Sequence, residues 1–291
     1  MLWMLNSQLV EQEQAKIPAG DHGFLYGVGL FETFRVYNSI PFLFSEHLER
    51  LEKGLALLHI KHDQILDQMS ADLNRLLVAN KLTDAYVRVT VTAGVQPLGL
   101  PNKDYESPNI LWQIKSLSPF SKIISDEKNA VFLKTTRNFP ETEVRLKSLN
   151  FLNNVIAKQE IISQQNTEGF FLTNAGYIAE GLVSNIFFVK DGQVCTPSLE
   201  TGILNGITRQ QIINLCLLNK IPIKEGLFTK EQLLNADGLF ITNSIQEVVP
   251  ISRLEDQEYM SKENRLINFL AMSYKDSIRK ECKIGSENDE T

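Results

Sequence analysis

Apolar residues in the first third of the chain recur at helical spacing. Leu48, Leu51, Leu55 and Leu58 predict one buried stripe on a helix that Ser45 caps and that runs to about His59. A second helix is predicted over roughly 63–80. Continuous apolar or β-branched runs predict strands at 30–37, 85–93 and 109–115, the last two flanking a glycine- and proline-rich loop over 94–108. A loop of that length is a natural carrier of substrate contacts. Further strands are predicted at 130–136, 169–173, 183–189 and 238–242, with a hairpin turn at Lys190-Asp191-Gly192 leading into Val194-Cys195-Thr196. After Lys147 the apolar residues fall at 149, 152, 155, 156 and 161, which predicts a helix that starts beside Lys147 and continues to about Gln165. Another apolar helix is predicted to end near Leu218, its start marked by Thr208 and Gln211 at the spacing of a capping box.

Strands and helices interleaved in this way predict an α/β (α+β) chain. The segment 116–126 is polar, contains Pro119 and has no periodicity. It predicts an N-terminal α/β domain over 1–117, a linker over 118–127 and a second domain over 128–291, whose polar tail, 283–291, is expected to be disordered.

Composition narrows the classes. A chain of 291 residues with 43% hydrophobic content can build two moderate cores, and a net charge of −6 argues against nucleic acid as a partner. Cys195, Cys216 and Cys282 stand alone, without C-x-x-C spacing, which suits a reducing, cytoplasmic location and neither a disulfide framework nor zinc. No run of 18 apolar residues occurs and residues 1–10 hold no basic residue, so neither a membrane span nor a leader is expected. His59 and His62 lack a third ligand at metal spacing, so no metal site is expected. Gly23, Gly27 and Gly29 are not spaced as a dinucleotide fingerprint; they suit either close backbone approach to a ligand or a barrel corner.

Candidate chemistry gathers at a few positions. Lys147, at a predicted helix start and two residues from Arg145, is either a solvated lysine or an amine whose charged form is disfavoured, fit for a Schiff base. Arg50 abuts the leucine stripe, where it either grips an anion or pairs with Glu46 or Glu49. Glu180, opening an apolar strand, is either a buried partner for a cation or an exposed strand end. Gly206-Ile207-Thr208 at a helix start can seat a phosphate, although most capped helices hold none. Asn243-Ser244 offers amide and hydroxyl donors in a polar turn. A lysine for an aldehyde, cations and N–H groups for a phosphate and an acid for a ring nitrogen are the requirements of pyridoxal 5'-phosphate.

The chain resembles the fold-type IV pyridoxal-phosphate enzymes, which include branched-chain and D-amino-acid aminotransferases and 4-amino-4-deoxychorismate lyases. The resemblance runs from about Ala19 to Ser252 and rests on His47-Leu48-Glu49-Arg50-Leu51, Leu146-Lys147-Ser148-Leu149-Asn150, Glu180-Gly181-Leu182-Val183-Ser184-Asn185, Gly206-Ile207-Thr208-Arg209, and Thr242-Asn243-Ser244 with Glu247 and Pro250, all in family order. It implies a smaller N-terminal α/β domain and a larger, β-barrel-like C-terminal one. It implies Lys147 as the Schiff-base lysine and Glu180 at the ring nitrogen. Arg50, Ile207, Thr208 and Ser244 would hold the phosphate, with Asn243 beside it, Leu204 against the ring and Asn185 among the cofactor contacts.

Within the family, Asp21–Tyr26 followed by Gly27–Arg35 looks most like the aminodeoxychorismate lyases of Gram-positive bacteria. Thr33 stands where lyases carry threonine, and Asn243 also looks like that group. The loop from Ala93 to Gly99 lacks the arginine and histidine of D-amino-acid aminotransferases, whereas Arg88 is shared with branched-chain aminotransferases. The expected activity is therefore conversion of aminodeoxychorismate to 4-aminobenzoate and pyruvate, toward folate. Lys147 and Thr33 would be catalytic, and Arg88, Arg145 or Arg35 would bind substrate carboxylates. The alternatives are an aminotransferase acting on branched-chain or D-amino acids and a silent binding protein on the same fold. The resemblance also implies a homodimer acting on a small molecule.

Overall fold

The computed structural model describes residues 1–61, 65–120 and 127–284, with backbone only for 65–67. The expected linker lies largely outside the described residues, as does the expected tail 283–291 from residue 285 on. The chain packs as two units: Met1–Ile123 with Lys147–Asn150 and Ile278–Thr291, and Ile124–Leu146 with Phe151–Ser277.

The first unit contains β1 (Leu2–Leu5), β2 (Gln8–Glu11), α1 (His22–Tyr26), β3 (Gly29–Tyr37), β4 (Ile40–Pro41), α2 (Phe44–Leu57), α3 (Ile65–Asn80), β5 (Ala85–Thr92) and β6 (Asn109–Ser116). Among the described residues its six strands form one antiparallel sheet in the order β2-β1-β6-β5-β3-β4. Hydrophobic burial places α2: Leu48, Leu51 and Leu55 are buried, and Phe34 of β3 meets Phe44 edge-on. The helix starts at Phe44 and not at a Ser45 cap. Leu43 adopts a left-handed conformation (φ 53°) and its N–H donates to Glu281, so a tertiary contact fixes the start. The β1–β2 hairpin, turning on Asn6 and Ser7 at positive φ, is not apparent in the apolar pattern.

The second unit contains β7 (Lys128–Phe132), α4 (Leu152–Glu160), β8 (Thr167–Leu172), β9 (Ile178–Gly181), β10 (Asn185–Lys190), β11 (Gln193–Pro197), α5 (Ile207–Leu218), β12 (Ile223–Gly226), α6 (Lys230–Leu234), β13 (Gly238–Asn243), β14 (Glu247–Leu254), β15 (Gln257–Glu258) and most of α7 (Arg265–Glu281). Nine strands among the described residues form a mixed sheet along the path β12-β11-β10-β13-β14-β7-β8-β9, with β15 on β14. The far end curls back, so that β9 approaches β10 and β11. Phe170, Ile186, Phe188, Leu239, Ile241 and Ile251 fill one core, and Leu133, Ala157, Phe171, Ala179 and Ile203 a second one under α4. This is the expected α/β class with a half-barrel sheet. No helix among the described residues is long and apolar enough to cross a membrane.

Three local expectations are corrected. The helix after Lys147 begins only at Leu152 and ends at Glu160. Residues 147–149 give their backbone groups to β3: Phe31 N–H donates to Lys147 C=O at 3.0 Å and Leu149 N–H to Gly29 C=O at 3.0 Å. The pairing leaves nothing for a helical turn there. The predicted strand at 183–189 begins only at Asn185, because a tight turn (Gly181 N–H to Ser184 C=O, 2.8 Å) separates it from β9, in which Glu180 lies. Finally, α5 is capped by the backbone of Gly206 with no side-chain cap, and Thr208 is its second residue.

Candidate functional site

The candidate residues divide between the two units. In the first, Lys147–Asn150 crosses the edge of β3 as a strap, paired through Leu30 and Ser148. Its approach requires the glycines before it. A Cβ on Gly29 would come within 2.6 Å of Val91 O and 2.8 Å of Leu149 Cδ1, and one on Gly27, at φ +72°, within 2.1 Å of Asn150 Oδ1. Of the two uses the sequence suggested for these glycines, neither describes this: they admit a segment of the chain itself.

Strand alternation then gathers Phe31, Thr33 and Arg88 on one face, since Thr33 pairs directly with Arg88 and Phe31 with Thr90. The Lys147 ammonium lies 4.6 Å from the centre of the Phe31 ring and the Arg88 guanidinium 3.6 Å from it. Arg88 Nε donates to Thr90 Oγ1 at 3.2 Å, and burial pushes the Arg88 pKa down. Two of the expected catalytic residues and one expected substrate arginine thus share a sheet face. Arg35 instead donates to Ser118 C=O at 2.6 Å and lies over the Tyr37 ring.

The opposite face of β3 carries a group the sequence reading left out. Glu32, 1% exposed, accepts from His47 Nδ1 at 2.7 Å and from Arg50 Nε and Nη2 at 2.7 Å each. Burial alone would raise its pKa, but Arg50 and His47 overcome that and bring it down to about 2. Burial likewise lowers the His47 pKa against the pull of Glu32, with the charges of Arg50 and Lys147 adding to the fall. Arg50 therefore pairs with Glu32, not with Glu46 or Glu49, and the two-pronged contact fixes the guanidinium's plane. The signal for Glu32 was an acid in the middle of an apolar strand.

In the second unit Glu180 is buried and is a partner for a cation. Arg137 Nε donates to its Oε1 at 2.7 Å and the Leu204 N–H to its Oε2 at 3.0 Å. Arg145 Nε stands 3.9 Å from Oε1, but donates to the carbonyl oxygens of Gly202 and Asn138. Burial, and then repulsion from Arg137, bring the Arg145 pKa down to about 10. Arg145 thus braces the segment that leads to Leu204. Glu168 supports the turn after Glu180, accepting from Leu182 N–H at 2.8 Å and Ser184 Oγ at 3.1 Å.

Leu204 connects the acid to a helix start. Asn185 Nδ2 donates to Leu204 C=O at 2.9 Å, and a Cβ on Gly206 would lie 2.0 Å from Asn185 Oδ1. The Asn205 side chain accepts from Gln210 at 2.6 Å and Arg209 at 3.3 Å. Arg209, fully buried, also donates to Pro197 C=O at 2.9 Å, which pins the turn from behind. Thr208 Oγ1 lies 3.5 Å from Ser244 Oγ and 3.3 Å from the hydroxyl of Tyr274 on α7, a neighbour the sequence reading did not name. Asn243 shapes the β13–β14 turn, its Oδ1 accepting from the Ile245 and Gln246 N–H groups, and so sets Ser244 in place.

Glu180 and the start of α5 therefore hold the two ends of a single segment, Leu204–Ile207. Its reach of at most about 10 Å suits a small aromatic phosphate with a basic ring nitrogen at the other end. The donor set fits such a group: an acid at one end, and at the other a helix start without a side-chain cap, flanked by two hydroxyls.

The chain is similar to known proteins over most of its length. The profile of the family Amino-transferase class IV matches residues 29–254. The chain is 39% identical over 277 residues to aminodeoxychorismate lyase of Bacillus subtilis (strain 168), covering 94% of each. It is 34% identical over 261 residues to a putative branched-chain-amino-acid aminotransferase of Methanocaldococcus jannaschii, covering 89% of this chain and 90% of that one. Among solved structures, a putative 4-amino-4-deoxychorismate lyase from Legionella pneumophila superposes with a TM-score of 0.84 at 25% identity, covering 91% of this chain and 97% of that one.

Proposed function

From the premise that the chain belongs to the amino-transferase class IV family and is a pyridoxal-phosphate enzyme, we propose that it is a 4-amino-4-deoxychorismate lyase, releasing pyruvate and forming 4-aminobenzoate. The observation that carries the reading is the 39% identity to the Bacillus subtilis lyase over 94% of both chains. The gathering of Lys147, Thr33 and Arg88 about Phe31 supports it.

When bound, the cofactor supplies an electron sink for a carbanion next to the substrate nitrogen. Lys147 would hold the cofactor and, with its amine free when substrate is bound, would take the proton from the ring carbon bearing the substrate amine. Thr33 Oγ1 donates a hydrogen bond to the ether oxygen as its bond to the ring carbon breaks. As the carbon–oxygen bond breaks the ring becomes aromatic as 4-aminobenzoate, and the proton held by Lys147 would pass to the methylene carbon of the departing enolate, giving pyruvate. Arg88 pairs with a substrate carboxylate, a role for which Arg145 is less suited because its donors are engaged. Glu180 would face the ring nitrogen, and Arg50, the Ile207 N–H, Thr208 and Ser244 would hold the phosphate. Leu204 would pack against the ring, while Asn185 and Asn243 keep the cradle in shape. The amine leaves with the product, so no keto-acid acceptor is needed. The same reading takes the enzyme as a cytoplasmic homodimer whose partner is a small molecule.

The test is a coupled assay following 4-aminobenzoate fluorescence from enzymatically made aminodeoxychorismate. An aminotransferase is the second reading, favoured by the 34% identity to the Methanocaldococcus jannaschii relative. Keto acid and glutamate formed from an amino acid and 2-oxoglutarate, with no 4-aminobenzoate from aminodeoxychorismate, would establish it and reject the lyase.

A further inference from the structure

We propose that Arg137 is a positioning residue that weakens the hold of Glu180 on the proton of the cofactor's ring nitrogen. The inference rests on the cofactor reading above, and on three features of the second unit.

The contact is built, not incidental. Arg137 and Glu180 are both more than nine-tenths buried, with Nε 2.7 Å from Oε1. Arg137 Nη1 donates to Asn153 Oδ1 at 2.7 Å, Asn138 Oδ1 at 3.1 Å and Asn154 Oδ1 at 3.2 Å, and the guanidinium lies 5.2 Å from the centre of the Phe171 ring. Three carboxamides and an aromatic ring hold the cation without neutralising it.

The carboxylate is outnumbered. Arg137 and Arg145 both approach Oε1, at 2.7 and 3.9 Å, while Oε2 already accepts from the Leu204 N–H. The other acid acting on Arg145 is Glu141, which is exposed. A protonated ring nitrogen would be a third positive partner for one negative charge in a buried setting, where screening is weak. Each cation on a carboxylate reduces what it can offer the next.

The geometry also fixes direction. With Oε1 turned to Arg137 and Oε2 tied to Leu204, the carboxylate plane is set by protein groups before any ligand enters. Arg137 thus sets both the aim and the strength of the acid without touching the substrate.

The experiment loads the full-length protein with cofactor labelled with 15N in the ring and follows the nitrogen's chemical shift from pH 6 to 10. The variants are Arg137→Gln, which removes the charge, and Arg137→Lys, which keeps it. Removing a cation from an adjacent acid moves a titration by about one pH unit or more. Arg137→Gln should therefore raise the midpoint for loss of the ring-nitrogen proton by that amount, and Arg137→Lys should stay near the parent. A residue that only supports the fold would lower stability or cofactor content and leave the midpoint alone; equal midpoints in the parent and Arg137→Gln overturn the proposal. Should Arg137→Gln fail to fold, Asn153→Ala releases one anchor of the guanidinium. It should give a smaller shift in the same direction, and no shift overturns the proposal. A parent protein that takes up no cofactor would refute the cofactor reading itself, a different result from equal midpoints.

Discussion

Replacing Glu32 by Gln removes one charge from the middle of a sheet and leaves its shape in place. In the folded protein the carboxyl pKa falls from 4.5 to about 2. At roughly 1.4 kcal/mol per pKa unit that lowering is linked to about 3 kcal/mol of stability. A second route gives a similar figure: breaking a buried ion pair by removing one partner costs about 3–5 kcal/mol. The Arg50 side chain, 19% exposed, finds some water when its partner goes, which favours the lower end. The folded pKa is depressed, so the contribution is complete above pH 4.5 and fades as pH drops toward 2. Both tryptophans, Trp3 in β1 and Trp112 in β6, lie in the first unit, so their fluorescence in urea reports its unfolding. Glu32→Gln should unfold about 3 kcal/mol more easily at pH 7, and the gap from the parent should narrow from pH 5 to pH 3. A gap under about 0.5 kcal/mol at pH 7, or one unchanged between pH 5 and 3, refutes the reasoning.

Three further predictions concern the candidate site. Lys147→Ala should abolish the visible cofactor band and lower 4-aminobenzoate formation by about 100-fold or more, read by absorption and by the fluorescence assay. Arg88→Gln should raise KM for aminodeoxychorismate by roughly tenfold or more with a smaller change in kcat, since a charge-assisted hydrogen bond contributes about 1.5–3 kcal/mol. Gly206→Ala places a methyl 2.0 Å from Asn185 Oδ1, so Asn185 must release the Leu204 carbonyl. Its Kd for pyridoxal phosphate, measured by fluorescence quenching, should rise about tenfold, in line with the cost of a buried polar group left unpaired.

Much of the framework could be read from the apolar spacing. The leucine stripe of α2 and the strands at the cores of both sheets follow from local periodicity. What could not be read depended on partners far along the chain. Leu149 fits a helical register with Leu152, yet it packs on Gly29, because an open strand edge competes for the same backbone groups. Arg50 suggests Glu46 or Glu49 from helix geometry. Its true partner, 18 residues back, becomes visible only when α2 lies on β3. Arg137 and Glu180 are 43 residues apart and meet through the order of strands in the curled sheet. No helix was expected where α7 lies, although Ile267, Leu270, Tyr274 and Ile278, all buried, fall at helical spacing, and the same run supplies the hydroxyl behind Thr208. The motifs around Lys147 and Glu180 pointed to the family, but a motif gives no account of what braces those side chains.

The strap has a consequence for biosynthesis. β3 emerges from the ribosome more than a hundred residues before Lys147–Asn150, so its edge at Gly29–Phe31 waits unpaired while much of the chain is still to be made. A fragment ending near residue 120 would keep β3, its glycines and Phe31, yet expose the backbone groups of Gly29 and Phe31 to any passing strand. The four residues that close this edge also bring in the amine of Lys147, the proposed Schiff-base group. Sealing a vulnerable rim and installing that amine are thus one event in the maturation of the polypeptide.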